Sequence, residues 1–265
     1  MKGNQTKELK LLESRFLELS RTAYQREIIT YSDFLNLNEQ NILHTLPKEN
    51  LYTRYVSFGG YNLAERQMAA FIPDALYLRY GKESLSEEEI EYPFTVLSIA
   101  PLNRKFSEEL SHRDYLGALL NLGIERSKLG DILISDGEAL VFTHNDMCDF
   151  ISEELTRVRH TTVRVSKKEF NGAEYAPNYE EIRGTVASVR LDSLLPLAFS
   201  SSRTKLSGLI EGAKVFVNGR LVTSNGYQVQ EGDIISVRGM GKFRYKGAGQ
   251  RTRKNRIYVV IHKYV

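Results

Sequence analysis

Arg203 and Lys205 stand in the first turn of a short helix, the electropositive end, where cations are mildly unfavourable. That helix is read from residues 201–219, SSRTKLSGLIEGAKVFVNG. Ser201 or Ser202 supplies an N-cap, Leu206, Leu209 and Ile210 recur at helical spacing, and Gly212 sits where a glycine ends a helix. The two cations cost roughly a few tenths of a kcal/mol there. A bound phosphate reverses that cost, because the free N–H groups and both side chains then aim at one anion. Arg203 would grip it bidentately and Lys205 would act as a mobile point charge. The plainer alternative is a pair of exposed cations that the fold tolerates.

The same chemistry recurs downstream. Residues 238–256, RGMGKFRYKGAGQRTRKNR, hold Arg238, Lys242, Arg244, Lys246, Arg251, Arg253, Lys254 and Arg256, and no acid follows Asp233. Phe243 and Tyr245 alternate with these cations, the mixture used for base stacking beside a phosphate-tracking groove, and the glycines predict a loop. From Arg183 to Val265 there are 15 Lys and Arg against 4 Asp and Glu, a net +11 inside a chain of net +3. The other 182 residues therefore carry −8. Such asymmetry points to a polyanion partner, a solvated basic face being the alternative. A membrane surface would call for an amphipathic helix, and this tract is too poor in aliphatics. The expectation is one surface, shared by the late Lys/Arg string with Arg190, Arg203 and Lys205, shaped for a ribose-phosphate strand.

Other chemistries find little support. His112-Arg113-Asp114 resembles a kinase catalytic loop, but position 119 is Leu rather than Asn, so Asp114 is expected to N-cap a helix. RGMGKF lacks the spacing of a dinucleotide fingerprint or a phosphate loop. The five His show no metal-ligand spacing, and the single Cys148 is expected at a packed helix position, so no metal or cofactor is predicted. Without an apolar run of about 18 residues or a signal-peptide core, the chain is expected to be soluble and cytoplasmic, with no membrane partner.

The elements that position these residues are an α+β set in three segments. Residues 1–90 read as helices followed by strands: TKELKLLESRFLELSRTAYQREII has Leu9, Leu12, Phe16 and Leu19 on one helical stripe. NEQNILHTLPKEN is a helix stopped by Pro47. YTRYVSFGGY and RQMAAFIPDALYLRY form a strand pair around Gly59 and Gly60, though the second could be helical. Residues 91–180 run strand–helix–strand–strand–helix–strand, a ferredoxin-like order, with Ser135-Asp136-Gly137 as the hairpin and EFNGAEYAPNYEE as a connection. This middle part carries 10 basic and 16 acidic residues between Glu91 and Glu181. Only Phe142 is offered for stacking, so a protein-docking or ribosome-docking surface is expected rather than a second RNA groove. Residues 181–265 form the small basic domain: RLDSLLPLAF as a helix, the Arg203 helix, the hairpin KVFVNGRLV turning at Asn218-Gly219, and further strands.

The basic domain resembles the alpha-L RNA-binding motif, the domain of small-subunit ribosomal protein S-four. The matching residues are Arg190-Leu191-Asp192, Ser202-Arg203, Gly212, Val217-Asn218-Gly219 and Gly232-Asp233. Phe58 to Phe71 and His112 to Ile134 resemble the YlmH family of bacterial proteins. That resemblance implies an N-terminal domain, a ferredoxin-like middle domain and a C-terminal alpha-L motif. It also implies a non-enzymatic RNA-binding protein acting on large-subunit ribosomal RNA with transfer RNA nearby, in translation quality control, and a family association with cell-division gene neighbourhoods. By position, Arg190, Ser202, Arg203, Lys205 and the Asn218-Gly219-Arg220 hairpin are the implied RNA contacts, while 242–256 rests on charge alone. The rival is an RNA-modifying enzyme of pseudouridine synthase or methyltransferase type with an appended RNA-binding domain. RLD at Arg190 echoes the synthase motif, but it continues SLLPLAF where that motif has a Thr and a Gly. Asp192 is therefore expected as a cap or in a buried pair.

Overall fold

In a computed structural model, which describes residues 2–80, 89–135, 137–172 and 178–264, the N-terminal stripe forms helix α1 (Lys2–Arg26). Phe16 and Ala23 are buried with Leu12 and Leu19 against them, whereas Leu9 is 44% exposed and stands outside that core. Helix α2 (Leu37–Thr45) opens with a capping box, Asn36 accepting from the amides of Asn38 and Glu39 while Glu39 accepts from the Asn36 amide. It stops before Pro47, as expected. Strands β1 (Thr30–Tyr31), β2 (Arg54–Phe58) and β3 (Met68–Ile72) form an antiparallel sheet in the order β1-β3-β2. RQMAAFIPDALYLRY divides between β3 and helix α3 (Asp74–Tyr80).

Next come β4 (Phe94–Pro101), α4 (His112–Asn121), β5 (Leu129–Ser135), β6 (Glu138–His144), α5 (Cys148–Glu154), β7 (Arg157–Val158) and β8 (Thr161–Lys167). The sheet order is β5-β6-β4-β8 with β7 beyond β8, every pair antiparallel. That is the ferredoxin-like arrangement with one added edge strand. Leu97, Ile99 and Val141 from the sheet pack with Tyr115 and Leu119 of α4 and with Ile151 of α5. Cys148 is 2% exposed in that core, where burial pushes its thiol pKa up and leaves it inert. Asp114 corrects one expectation: the N-cap of α4 is Ser111, and Asp114 is its third-position partner, accepting from the Ser111 amide (2.9 Å) and hydroxyl (2.6 Å). The β5–β6 hairpin closes at Ser135 opposite Glu138, with Gly137 at φ +76°; Asp136 lies outside the described residues.

By its contacts the chain divides into two units, residues 1–175 and 176–265. The boundary expected near residue 90 falls inside the first, whose two sheets are pinned together by Arg66. Its guanidinium donates to the carbonyls of Leu129 (2.8 Å), Phe34 (2.8 Å) and Arg126 (3.0 Å). Asp131 in turn accepts from the Tyr61 hydroxyl and the amides of Glu65 and Arg66. Phe142 is fully buried among Tyr61, Phe94 and Phe170, so it offers no stacking surface.

In the second unit, part of the expected connection EFNGAEYAPNYEE opens a strand, β9 (Tyr179–Val186); residues 173–177 of that connection lie outside the described residues. Helices α6 (Leu191–Phe199) and α7 (Arg203–Glu211) follow, then β10 (Val215–Val217), β11 (Arg220–Leu221), β12 (Ile234–Val237), β13 (Gly241–Arg251) and β14 (Ile257–Tyr264). The six strands lie in the order β11-β10-β12-β13-β14-β9. Leu194, Leu195, Leu206 and Ile210 of the helices share a core with Val217, Ile235, Phe243, Tyr245, Val259 and Ile261 of the sheet.

Here the sequence reading of 241–251 is corrected, because the glycine-rich basic tract is an eleven-residue strand rather than a loop. Strand alternation sends Phe243 (0% exposed) and Tyr245 (3% exposed) into the core beneath α6 and α7. They hold the sheet together and cannot stack on bases.

Candidate nucleic-acid interface

The corner between α6 and α7 is built by backbone constraints. Ser200 closes α6 in the left-handed conformation (φ +47°), which turns the chain sharply, and Ser202 then caps α7. Its hydroxyl accepts the Lys205 amide at 3.4 Å. Leu206 and Ile210 are drawn into the core, so the first turn of α7 and its cations stay at the surface.

The start of α6 comes to the same corner. Arg190 Nε and Nη2 fork onto the two oxygens of Asp192 at 3.0 and 2.8 Å. The Ser193 hydroxyl lies 3.5 Å from the same carboxylate and accepts from Arg203 Nη2 at 3.1 Å. A line of contacts thus runs from Arg203 through Ser193 and Asp192 to Arg190. Asp192 holds the Arg190 pKa above its ordinary value, chiefly through the hydrogen-bonded pair. Lys205 is exposed two residues beyond Arg203, so the starts of α6 and α7 carry three cations against the one carboxylate of Asp192. The corner keeps a positive surplus and a geometry set before any ligand arrives, which suits an anion chain. Asp192, the residue that carried the synthase echo, serves here as a clamp on Arg190.

The Asn218-Gly219 turn has φ +48° and +75°, as the expected two-residue hairpin requires. The Asn218 carboxamide is engaged inside the protein. Its Nδ2 donates to Asp233 Oδ1 (2.7 Å) and its Oδ1 accepts the Ile234 amide (2.9 Å), while Asp233 also accepts the Gln230 amide (2.8 Å). The side chain therefore fixes the hairpin to the turn before β12, and Arg220 projects from the same hairpin into solvent.

Not all of the remaining cations share a face with the α6–α7 corner, which corrects the expectation of one surface. Lys242 and Arg244 alternate with the core residues Phe243 and Tyr245 and so lie on the sheet face turned away from the helices. Lys246 is exposed at a register shift between Tyr245 and Gly247. Arg251, Arg253, Lys254 and Arg256 gather at the turn joining β13 to β14. There Arg251 donates to Asn255 Oδ1 (2.8 Å) and Arg256 donates to the Thr185 hydroxyl (3.0 Å) and carbonyl. Arg238 stands at the end of β12, its amide on the Lys214 carbonyl (2.9 Å). Lys214 and Arg183, both exposed, were not singled out from sequence; neither belongs to a motif, and only the sheet pairing gives them basic neighbours.

Residues 87–172 match a family described as "Putative RNA-binding domain in YlmH", and residues 189–235 match the S4 domain. The first description names RNA for a family matched by the acidic middle segment, where charge and the lack of stacking aromatics led to the expectation of a protein-docking or ribosome-docking surface. The chain is 29% identical over 248 residues, 93% of its length and 92% of the relative's, to "Ribosome-associated protein quality control protein P2" of Bacillus subtilis (strain 168). It is 34% identical over 94 residues to "Small ribosomal subunit protein uS4" of Coxiella burnetii (strain CbuK_Q154), 32% of this chain and 45% of that one. A solved structure, "Cell division protein ylmH from Streptococcus pneumoniae", aligns over 62% of this chain and 92% of its own at 21% identity and a TM-score of 0.48. No helix among the described residues is long and apolar enough to cross a membrane.

Proposed function

From a chain that matches the putative RNA-binding domain in YlmH and the S4 domain, we propose a non-enzymatic protein that binds structured ribosomal RNA in translation quality control. The observation that carries this reading is the α6–α7 corner, where Arg190 and Arg203 are held in place by hydrogen bonds and, with the exposed Lys205, outnumber Asp192. The site is built for a phosphate backbone. We adopt the finer reading too: large-subunit ribosomal RNA, with transfer RNA nearby. The ribosome association in the name of the Bacillus subtilis relative supports the ribosomal part of that reading, and the sequence resemblance alone carries the large subunit and the transfer RNA. A link to cell division enters only as context.

The experiment is co-sedimentation of the full chain with purified large and small ribosomal subunits across a salt series. The expected result is retention on the large subunit at low salt, lost steeply as salt rises, with log K falling by about 0.7–0.9 per phosphate contact for each unit of log salt. Equal retention on both subunits, or a response flat in salt, overturns it. Incubation with ribosomal and transfer RNA followed by nucleoside analysis should show no modified nucleoside; turnover would restore the enzyme reading.

A further inference from the structure

Rejecting Phe243 and Tyr245 as stacking residues leaves the second unit with other aromatics exposed, on the sheet face away from α6 and α7. At its β10 end that face is closed, Phe216 being 1% exposed. Toward β14 and β9 it opens, and Tyr179 and Tyr258 are each 51% exposed. Tyr179 lies flat on His262, ring centroids 3.9 Å apart and planes 10° from parallel. Register places Arg244 directly opposite His262 on the other side of β14. Four residues along β14 from His262, about 13 Å at strand rise, Tyr258 faces Thr185, the residue that holds the Arg256 guanidinium. Between the two aromatic positions, Arg183 pairs across from Val260 and is mostly exposed.

The face therefore repeats aromatic, cation, aromatic, with a second arginine beside each ring. An acid on it, Glu181, is neutralised in place by Arg183 (2.7 Å) and contacts His262 (3.3 Å), which hold its pKa below the ordinary carboxylate range. Arg244 adds a buried Nε with no hydrogen-bond partner. A surface of this kind suits bases that expose their π-faces, with the ribose-phosphate passing the arginines. A duplex hides those faces.

We infer that the β14–β9 face of the second unit is a binding site for unpaired RNA, distinct from the phosphate-gripping α6–α7 corner. Tyr258 seats one base and the Tyr179–His262 stack another, with Arg183 on the linking backbone. This rests on the proposed RNA-binding function and adds the strand type and a second site. The charge pattern favours RNA over an acidic peptide, because the rings have no role in holding carboxylates.

The test uses the full chain and three probes by fluorescence anisotropy: a ten-nucleotide single-stranded RNA, the same sequence as a duplex, and a polyglutamate peptide of similar charge. The single strand is expected to bind tightest. Tyr179→Ala and Tyr258→Ala should each weaken it about tenfold, whereas Tyr179→Phe and Tyr258→Phe keep the ring and the affinity. Retention on ribosomal subunits at the α6–α7 corner should change by less than threefold in all four variants. Unchanged single-strand affinity in both alanine variants overturns the inference while leaving the proposed function standing. So does displacement of the RNA by polyglutamate at equal charge. If subunit retention fails in the wild-type chain while the tyrosine effect persists, the ribosomal reading falls and the site survives.

Discussion

Arg203 Nη2 donates to the Ser193 hydroxyl at 3.1 Å, so the first turn of α7 is held to the first turn of α6. Through Ser193 the contact continues to Asp192 and its fork with Arg190. The cation that looked misplaced on its own helix is thus part of a corner assembled from two helices.

Replacing both Arg203 and Lys205 with Ala should weaken binding to ribosomal RNA by about 2–4 kcal/mol, two charge-assisted contacts being lost. The magnitude of the salt slope should fall by between one and two. Stability should fall by about 1 kcal/mol at most, because the loss of the Arg203–Ser193 hydrogen bond is partly offset by removing two exposed cations from an unfavourable helix end. Titration of labelled RNA at several salt concentrations measures both effects, and unchanged affinity would reject the corner as the site.

Asp192→Asn tests the clamp. The mutation removes one charge from a partly exposed pair, so the urea midpoint should fall slightly. RNA affinity should stay within a few-fold, since the cations remain. A collapse of affinity with stability intact would mean that Asp192 meets the RNA directly.

Asn218→Ala should cost more, about 2–4 kcal/mol. It strips a partner from buried Asp233 and puts Ala at φ +48°, where a side chain without a local hydrogen bond is strained. Asp233→Ala should be similar, and the double mutant should cost less than the sum, because each removes the other's partner. Urea midpoints of the four proteins decide this; strict additivity contradicts the coupling.

Acid stability should depend on Glu138. Hydrogen bonds first from Lys168 and then from Ser98 hold its pKa below the ordinary 4.5. The unfolded chain therefore binds the proton more readily, so this contribution is complete above about pH 4.5 and disappears as pH falls through the lowered folded value. Glu138→Gln should reduce stability at pH 7 and flatten the loss on acidification. Thermal melts between pH 7 and pH 3 give the comparison, and parallel curves for the two proteins would refute it.

Much of the architecture was legible in residue order. The βαββαβ succession, the helix stops at Pro47 and Gly212 and the Asn218-Gly219 turn are local signals, and local sterics and hydrogen bonding impose them wherever they occur. The basic tract misled because glycine content marks flexibility without saying whether a strand partner is present. Pairing with β12 and β14 overrode that propensity, and Phe243 and Tyr245 went into the core. Arg183 and Lys214 carry no motif, so nothing in their neighbourhood along the chain distinguished them.

By itself the sequence determined the charge surplus of the last third, the helix that places Arg203 and Lys205 at its positive end, and the turns between elements, all of which depend on residues close together in the chain. Only the tertiary structure decided which cations share a face. A side chain's direction on a strand changes with every residue, and its neighbours across the sheet come from distant segments: β9 reaches the edge beside β14, bringing Tyr179 onto His262.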